Sequence, residues 1–313
     1  MAIVPAASAV QAGAAGGPPR RRKIRSSKLP VLLVAPALVL LALFTLAPAI
    51  YALVLSLQKV QVSGGLLGTT THQVFAGISN YTATFTDPEF WASLGRMLII
   101  AVIGVPATVI MATLFALCLD ANKARLTTFS RLAIFLPYAV PGVIASLLWG
   151  FLYLPATSPI GGQDINYFGN RAIFFTVANV AVWGVVGFNT VVIYTALRAV
   201  PADIYQAAQI DGAGELKIAL RIKLPLIAPA VAMISLFSVI GALQLFNEPT
   251  ALRPLANAIS STWVPLMRVY TDAFVTNNIY GGAASAFTLL VMTVAATVLV
   301  GVAANRLIRR SSR

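Results

Sequence analysis

Long apolar runs separated by short polar segments are the dominant pattern along this chain. The first run extends from Leu29 to Leu57, and five more follow, at Leu94–Leu119, Leu132–Leu154, Ile173–Leu197, Leu226–Phe246 and Ala283–Leu307. Each run provides about the 20 residues that a helix needs to cross the hydrocarbon of a bilayer. Prolines inside the runs do not exclude helices, because neighbouring helices can satisfy the carbonyl groups that a proline leaves free. The pattern therefore predicts an all-α polytopic membrane protein with six transmembrane helices.

The segments outside these runs differ from one another in character. Residues 1–28 are rich in Ala, Gly and Pro and end in a basic cluster, which predicts a disordered cytoplasmic tail before a transmembrane domain at residues 29–313. A signal peptide is the alternative for the first segment, but the first apolar run is longer than the roughly 7 to 15 residues of a signal core. Short surface helices next to the membrane are predicted at Asp87–Gly95 and Trp263–Phe274.

The composition supports the membrane prediction. Hydrophobic residues make up 58% of the 313 residues and charged residues only 10%, whereas soluble proteins carry about 25% charged residues. An apolar excess of this size requires lipid, because the exterior of a soluble fold must face water. The single cysteine, Cys118, cannot form an internal disulfide, and the single histidine, His72, cannot form a metal site with other histidines.

The basic residues predict the orientation in the membrane. The formal net charge of +13 would suggest a nucleic-acid partner if the protein were soluble. Here the basic residues flank apolar runs. Of the 22 Lys and Arg residues, 17 lie at the two ends of the chain and in the connections after the second and fourth runs, and five lie elsewhere. Because cytoplasmic segments carry the excess of Lys and Arg, both termini are predicted to be cytoplasmic.

The most informative polar segment is residues 198–225, on the predicted cytoplasmic side. Pro201 suits the first turn of a helix, and Gly212 suits the position just past a helix end, where a positive φ is needed. Glu215–Ile222 is predicted to form a second short helix, and Pro225 suits the start of the next span. A rigid and partly apolar loop of this kind either docks a partner or lies on lipid headgroups, and the pattern leaves both possibilities open.

The spacing within this loop resembles the EAA loop of binding-protein-dependent ABC importer permeases. The family pattern is Glu-Ala-Ala, three residues, Gly, nine residues, then Ile-x-Leu-Pro. This chain has Gln206-Ala207-Ala208, Gly212 and Ile222-Lys223-Leu224-Pro225 at the same spacing, with Gln in place of the leading Glu. Other short segments between Asn80 and Arg306 resemble the sugar and glycerol-phosphate branch, in the order found in the maltose-type first permease subunit.

The resemblance implies a type I ABC importer permease-like bundle in the plasma membrane that translocates a carbohydrate or related polyol. The first helix of the loop would sit in a cleft of a separate ATPase subunit and transmit its closure to the membrane helices. The residues implied in this ATPase coupling are Gln206, Ala207, Ala208, Asp211, Gly212, Ile222, Leu224 and Pro225. The implied partners are a second homologous permease subunit, an ABC ATPase dimer that binds the ATP, an extracytoplasmic substrate-binding protein and membrane lipid, without nucleic acid.

The sequence lacks the motifs of the common catalytic sites. It contains no Gly-x-x-x-x-Gly-Lys-Ser/Thr phosphate loop, no Gly-x-Ser-x-Gly elbow and no His-Glu-x-x-His pair, so we expect no enzyme activity, metal or cofactor of its own. The alternative function is a secondary transporter or channel for a small polar solute, which usually carries ionisable groups within its spans. Here the acids lie at span edges, as Asp120 and Glu248 do, which favours an external energy source.

Polar and aromatic side chains in the apolar runs are candidates for a substrate pathway. Sugar hydroxyl groups are bound by amides, hydroxyls and aromatic faces, and the candidate residues are Trp149, Asn189, Gln244, Asn247 and Glu248. The alternative for each of them is a hydrogen bond or a packing contact between helices.

Overall fold

The computed structural model of the chain describes residues 29–63, 70–121, 127–159 and 165–311. These residues are mainly helical, as predicted. The helices in chain order are α1 Leu29–Leu41, α2 Ala47–Ser56, α3 Ser79–Thr86, α4 Pro88–Leu119, α5 Thr127–Ala139, α6 Gly142–Leu152, α7 Ala172–Arg198, α8 Ala202–Ile210, α9 Glu215–Ile218, α10 Leu224–Leu226, α11 Ala228–Leu243, α12 Asn247–Leu252, α13 Pro265–Tyr270 and α14 Ile279–Ser311. Segments of π-helix extend α1, α9 and α13 at Ala42–Leu46, Ala219–Lys223 and Thr271–Val275.

The chain divides into two units, one that ends at Ala49 and one that begins at Ile50. The described part of the first unit is an apolar helical segment that starts at Leu29 and contains Pro36. A helix that is apolar on all sides suits lipid. The predicted disordered tail at residues 1–28 lies outside the described residues. The second unit holds the hairpin, the later helices and the site residues described below.

The polar segment before the second long helix forms an antiparallel hairpin and a short helix. Strands β1 Gln58–Ser63 and β2 Thr70–Phe75 pair with each other. The side-chain amide of Asn80 in α3 donates to the carbonyl groups of Ser56, at 2.8 Å, and of Gln58, at 2.7 Å. These bonds fix α3 against the base of the hairpin. The sequence pattern did not predict the hairpin.

The described residues contain four helices long and apolar enough to cross a membrane: Val31–Ser56, Pro88–Leu119, Ala172–Arg198 and Ile279–Arg306. The helix pairs α5 with α6, and α9–α10 with α11, pass the same test only when each pair is taken together. The number of spans is therefore four by length and composition, or up to six if each bent pair is one span. The predicted number of six corresponds to the second count.

The third predicted span is not one continuous helix. Helices α5 and α6 meet at an angle of 98°. The N–H of Val140 donates to the carbonyl of Pro137 at 3.1 Å and closes α5 with a turn, and Pro141 then caps α6 with φ −54° and ψ 131°. A proline has no N–H and disfavours a helical conformation in the residue before it. The structure therefore corrects the prediction of a continuous helix at Leu132–Leu154.

The predicted surface helix at Asp87–Gly95 is also corrected. Pro88 to Leu119 is one continuous helix of 32 residues, and Asp87 caps it by accepting a hydrogen bond from the N–H of Glu89 at 2.8 Å. In its first turns, Phe90 and Leu94 are buried in the protein, whereas Trp91 is exposed. The other predicted surface helix, at Trp263–Phe274, corresponds to α13 and the π-helical segment that follows it.

Helix α7 packs closely against both α4 and α5. The fully buried Ala112 and Ala116 of α4 lie in one cluster with Val186 and Ile193 of α7, so the small side chains allow the two helices to approach. At Gly187 the backbone of α5 comes so near that an added β-carbon would overlap the carbonyl group of Ile134. Only glycine fits at this position unless the backbone of α5 moves.

Ion pairs join the start of α4 to the segment before α14. Arg268 Nη2 lies 2.5 Å from Asp87 Oδ2, and its Nε lies 3.4 Å from Asp272. Within α4, Arg96 Nη1 pairs with Glu89 Oε1 at 2.9 Å. The hydrogen bond from Arg268 holds the pKa of Asp87 below its usual value, although partial burial acts in the opposite direction.

Candidate functional site

The 198–225 loop begins with a short helix whose two ends are both defined by local bonds. Pro201 is the N-cap of α8 and has an extended backbone, with φ −57° and ψ 133°. At the other end, the N–H of Gly212 donates to the carbonyl of Gln209 at 3.0 Å, and the N–H of Ala213 donates to that of Ala208 at 2.9 Å. This pair of bonds is a Schellman motif, which needs a left-handed residue just past the helix. Gly212 has φ +76°, so the predicted positive φ is confirmed.

The second half of the loop is a longer helical segment than the sequence predicted. From Glu215 the chain remains helical through the π-helical segment and α10 to Leu226, and it then bends by 67° into α11. Pro225 lies inside the last turn of this segment and not at the start of the next span. Ile227, with φ −90° and ψ 2°, stands at the bend and is the N-cap of α11.

Helix α8 has one exposed face and one face turned toward the protein. Gln206, Ala207 and Ile210 are exposed, and Ile210 keeps 87% of its accessible surface. Ile210 is three residues after Ala207 and four residues after Gln206, so the three side chains lie on one side of the helix. Tyr205 and Ala208 are half-buried. Of the two alanines in the motif, only Ala207 is therefore on the exposed face.

The other predicted coupling residues fall into two groups. Asp211 and Gly212 are exposed at the turn, whereas Ile222 and Leu224 are half-buried beneath it and Pro225 is exposed. Apolar side chains that the motif does not include, Leu216 and Leu220, extend the exposed apolar surface beyond α8. Exposed leucine and isoleucine side chains in a polar loop indicate an interaction surface for a protein or for lipid.

On its inner side, α8 contacts a buried ion pair. Lys223 Nζ lies 2.5 Å from Asp120 Oδ2 and 3.4 Å from the Asp120 carbonyl oxygen. The same ammonium group lies 4.9 Å from the centre of the Tyr205 ring, within the range of a cation–π interaction. Burial, and then the negative charge of Asp120, raise the pKa of Tyr205. No sequence pattern pairs Asp120 with Lys223, which are 103 residues apart.

A cavity of about 360 Å³ lies among α4, α7, α11 and the start of α12. Four of the five predicted substrate-pathway residues line it: Asn189, Gln244, Asn247 and Glu248. The hydroxyl of Ser238 also lines it, and this buried hydroxyl has no hydrogen-bond partner among the described residues. Aromatic rings complete the wall, and they belong to Tyr138, Phe188, Phe237 and Phe246. The cavity thus combines amides, a hydroxyl, a carboxylate and ring faces.

The fifth predicted residue, Trp149, is not part of this cavity wall. Its ring stacks on Tyr153 at 5.5 Å between centroids and meets Trp183 edge-on at 6.0 Å. Glu248 stands near the start of α12, where burial raises the pKa of its carboxyl group. Ser238 and Tyr138 are cavity residues that the sequence did not single out, because serine and tyrosine are common in membrane helices.

The sequence of this chain resembles known transporter subunits over most of its length. It is 29% identical over 294 residues to the sn-glycerol-3-phosphate transport system permease protein UgpA of Escherichia coli O157:H7, covering 89% of this chain and 95% of the relative. UgpA of Salmonella choleraesuis gives the same identity and coverage. No protein-family model matches the chain.

Solved structures share the fold. A chain of a bacterial ABC transporter involved in the import of the acidic polysaccharide alginate superposes with a TM-score of 0.72 at 17% identity, covering 91% of this chain and 96% of the other. The alginate transporter in complex with an alginate pentasaccharide-bound periplasmic protein gives a TM-score of 0.71 at 18% identity, with coverages of 90% and 94%. The chain is thus similar in sequence to glycerol-phosphate permease proteins and shares its fold with a chain of ABC transporters.

Proposed function

We propose that this chain is the transmembrane permease subunit of an ABC importer that translocates a carbohydrate or related polyol. The observation that carries the proposal is the 198–225 loop, in which a short helix with fixed ends presents an exposed face bearing Gln206, Ala207 and Ile210. The named solutes of the relatives, glycerol 3-phosphate and alginate, support a hydroxyl-rich substrate.

The exposed face of α8 fits a cleft on an ATPase partner. Ala207 offers little bulk, so the walls of a cleft can close on the helix backbone, and Ile210 offers apolar surface for burial. Gln206 stands where the family pattern has Glu. It retains a hydrogen-bond acceptor without the charge, and an exposed ion pair contributes only about 0–1 kcal/mol. A rigid helix held in a cleft can move as one body between two states of the transporter.

The cavity fits the solute pathway. Its volume of about 360 Å³ is at the lower end of the roughly 300–1,000 Å³ found for small-molecule sites. The amides of Asn189, Gln244 and Asn247 and the carboxyl group of Glu248 can exchange hydrogen bonds with hydroxyl groups. The apolar faces of a sugar ring can pack on the aromatic side chains that line the same space.

The remaining subunits supply the energy and the delivery of solute. They comprise a second homologous permease, an ABC ATPase dimer that binds ATP, and an extracytoplasmic binding protein. The periplasmic protein in the alginate transporter complex supports the last of these. The permease itself hydrolyses no ATP. The distribution of 17 basic residues against five supports a plasma-membrane orientation with both termini in the cytoplasm.

The proposal is tested by purifying the tagged chain with its associated subunits and reconstituting the complex, with its binding protein, in liposomes. We expect recovery of an ATPase subunit and ATP-dependent uptake of a member of a panel of glycerol, maltose, trehalose and sn-glycerol 3-phosphate. Ala207→Trp should abolish uptake and reduce ATPase recovery, whereas Ala207→Ser, which stays small at the same position, should retain both. Full uptake and full ATPase recovery in Ala207→Trp would exclude α8 as the docking element.

A further inference from the structure

Helix α8 lacks the buried side chains that normally fix a helix on a protein. No residue of α8, all of which the structure describes, is buried. The helix is connected to α7 through the extended Pro201 and to α9 through the left-handed Gly212 and the extended Gly214. These connections define where α8 begins and ends, but they do not anchor it against the membrane helices. A contact of its inner face must hold its angle.

That contact is the group formed by Tyr205, Lys223 and Asp120, called here the Tyr205–Lys223–Asp120 link. Each member comes from a different element: Tyr205 from α8, Lys223 from the helical segment that leads to α11, and Asp120 from the C-terminal end of α4. The ion pair is well shielded from water, with side chains 12% exposed for Lys223 and 6% for Asp120. The link thus joins the loop helix to two membrane helices.

The placement of Asp120 argues against a purely local role. The residue follows the last turn of α4, where the helix dipole is negative and a carboxylate is unfavourable. The positive charge of Lys223 offsets this, because its ammonium group donates both to the Asp120 carboxylate and to the Asp120 carbonyl oxygen at the helix end. A buried ion pair seldom adds to stability compared with apolar residues, and its best-attested use is to fix register or a switch. The ring of Tyr205 lies over the same ammonium group, so this contact also fixes the position of α8 relative to α4 and α11.

We propose that Tyr205, Lys223 and Asp120 are positioning residues that transmit the movement of α8 to α4 and α11. This role rests on the proposed function, since it requires an ATPase bound to the exposed face of α8. The two faces then have separate tasks: Ala207 and Ile210 bind the partner, and Tyr205 passes the displacement on to the membrane helices. The hydroxyl of Tyr205 has no partner among the described residues, so the ring face performs the task.

The test measures solute transported per ATP hydrolysed in proteoliposomes that contain the complete complex and the binding protein. The solute is the compound among glycerol, maltose, trehalose and sn-glycerol 3-phosphate that the wild-type complex transports best. We expect Asp120→Asn and Tyr205→Ala to keep ATPase recovery but to lower this ratio at least about fivefold, the low end of typical coupling between two sites. Tyr205→Phe, which retains the ring, should keep the wild-type ratio.

Lys217→Met is the matched control, because it removes an exposed basic side chain of the same loop and should leave the ratio unchanged. Tyr205→Ala leaves no unpaired buried charge, so it tests the link even if Asp120→Asn fails to accumulate in the membrane. A wild-type ratio in Tyr205→Ala overturns the inference. So does a reduced ratio in Tyr205→Phe equal to that of Tyr205→Ala. Failure of the proposed function is distinct, because the wild-type complex would then transport none of the four compounds.

Discussion

The turn at Gly212 allows a comparison between two glycines of the same loop. Gly212 has φ +76°, and a β-carbon added there would meet nothing within 4 Å, so a side chain is opposed only by the backbone conformation. A left-handed conformation costs an L-residue about 1–2 kcal/mol. Gly214 is equally open but has φ −70° and ψ 162°, and it is the N-cap of α9, where serine is favoured. Gly212→Ser should therefore weaken the loop and Gly214→Ser should not.

A cost of about 1–2 kcal/mol corresponds to a factor of roughly 5 to 30 in an equilibrium constant. We expect Gly212→Ser to lower the affinity for the ATPase subunit by about this factor, because the Schellman motif would have to be strained or replaced on docking. Affinity is measured by titrating the ATPase onto the permease in detergent, with uptake in liposomes as a second readout. Gly212→Asn should recover most of the loss, since asparagine tolerates the left-handed region. Equal affinities for Gly212→Ser and Gly214→Ser would refute the assignment of the loss to φ.

Further predictions concern packing, protonation and topology. Gly187→Ala should lower the free energy of unfolding of the solubilised chain by about 1–3 kcal/mol or more, because the added carbon meets the backbone of α5. A carbon added at Gly184 meets nothing within 4 Å, so Gly184→Ala should have little effect. Asp87→Asn should lower the melting temperature near pH 7. The difference from wild type should begin to shrink as the pH falls below about 4, near the unfolded pKa, and should disappear only below the lowered folded pKa, since a carboxylate with a lowered pKa stabilises above its unfolded pKa and loses this effect as pH falls through the folded pKa. A reporter active only outside the cytoplasm should be active when fused after His72 and silent after Asn122, and the reverse pattern would overturn the predicted orientation.

Features that depend on neighbouring residues in the chain could be predicted from the sequence. The apolar runs predicted membrane helices because the length of a helix in lipid is set by the bilayer and by nothing else in the fold. Gly212 predicted its turn because few other residues adopt a positive φ without cost, and the structure has φ +76° there. The 198–225 loop was therefore defined as a helix, a turn and a second helical segment before any tertiary contact was known, although Pro225 was placed wrongly relative to the bend.

Features that depend on residues far apart in the chain required the tertiary structure. The 98° and 67° bends depend on how each half-helix packs, and a proline inside an apolar run predicts neither the presence nor the size of a bend. The cavity brings Asn189 together with Glu248, and the buried pair joins Asp120 to Lys223, across stretches of sequence with no shared periodicity. Hydropathy places a residue at a depth in the membrane but does not specify which residue of another helix it faces. That choice is made by side-chain packing, as at Gly187, and only the folded chain shows it.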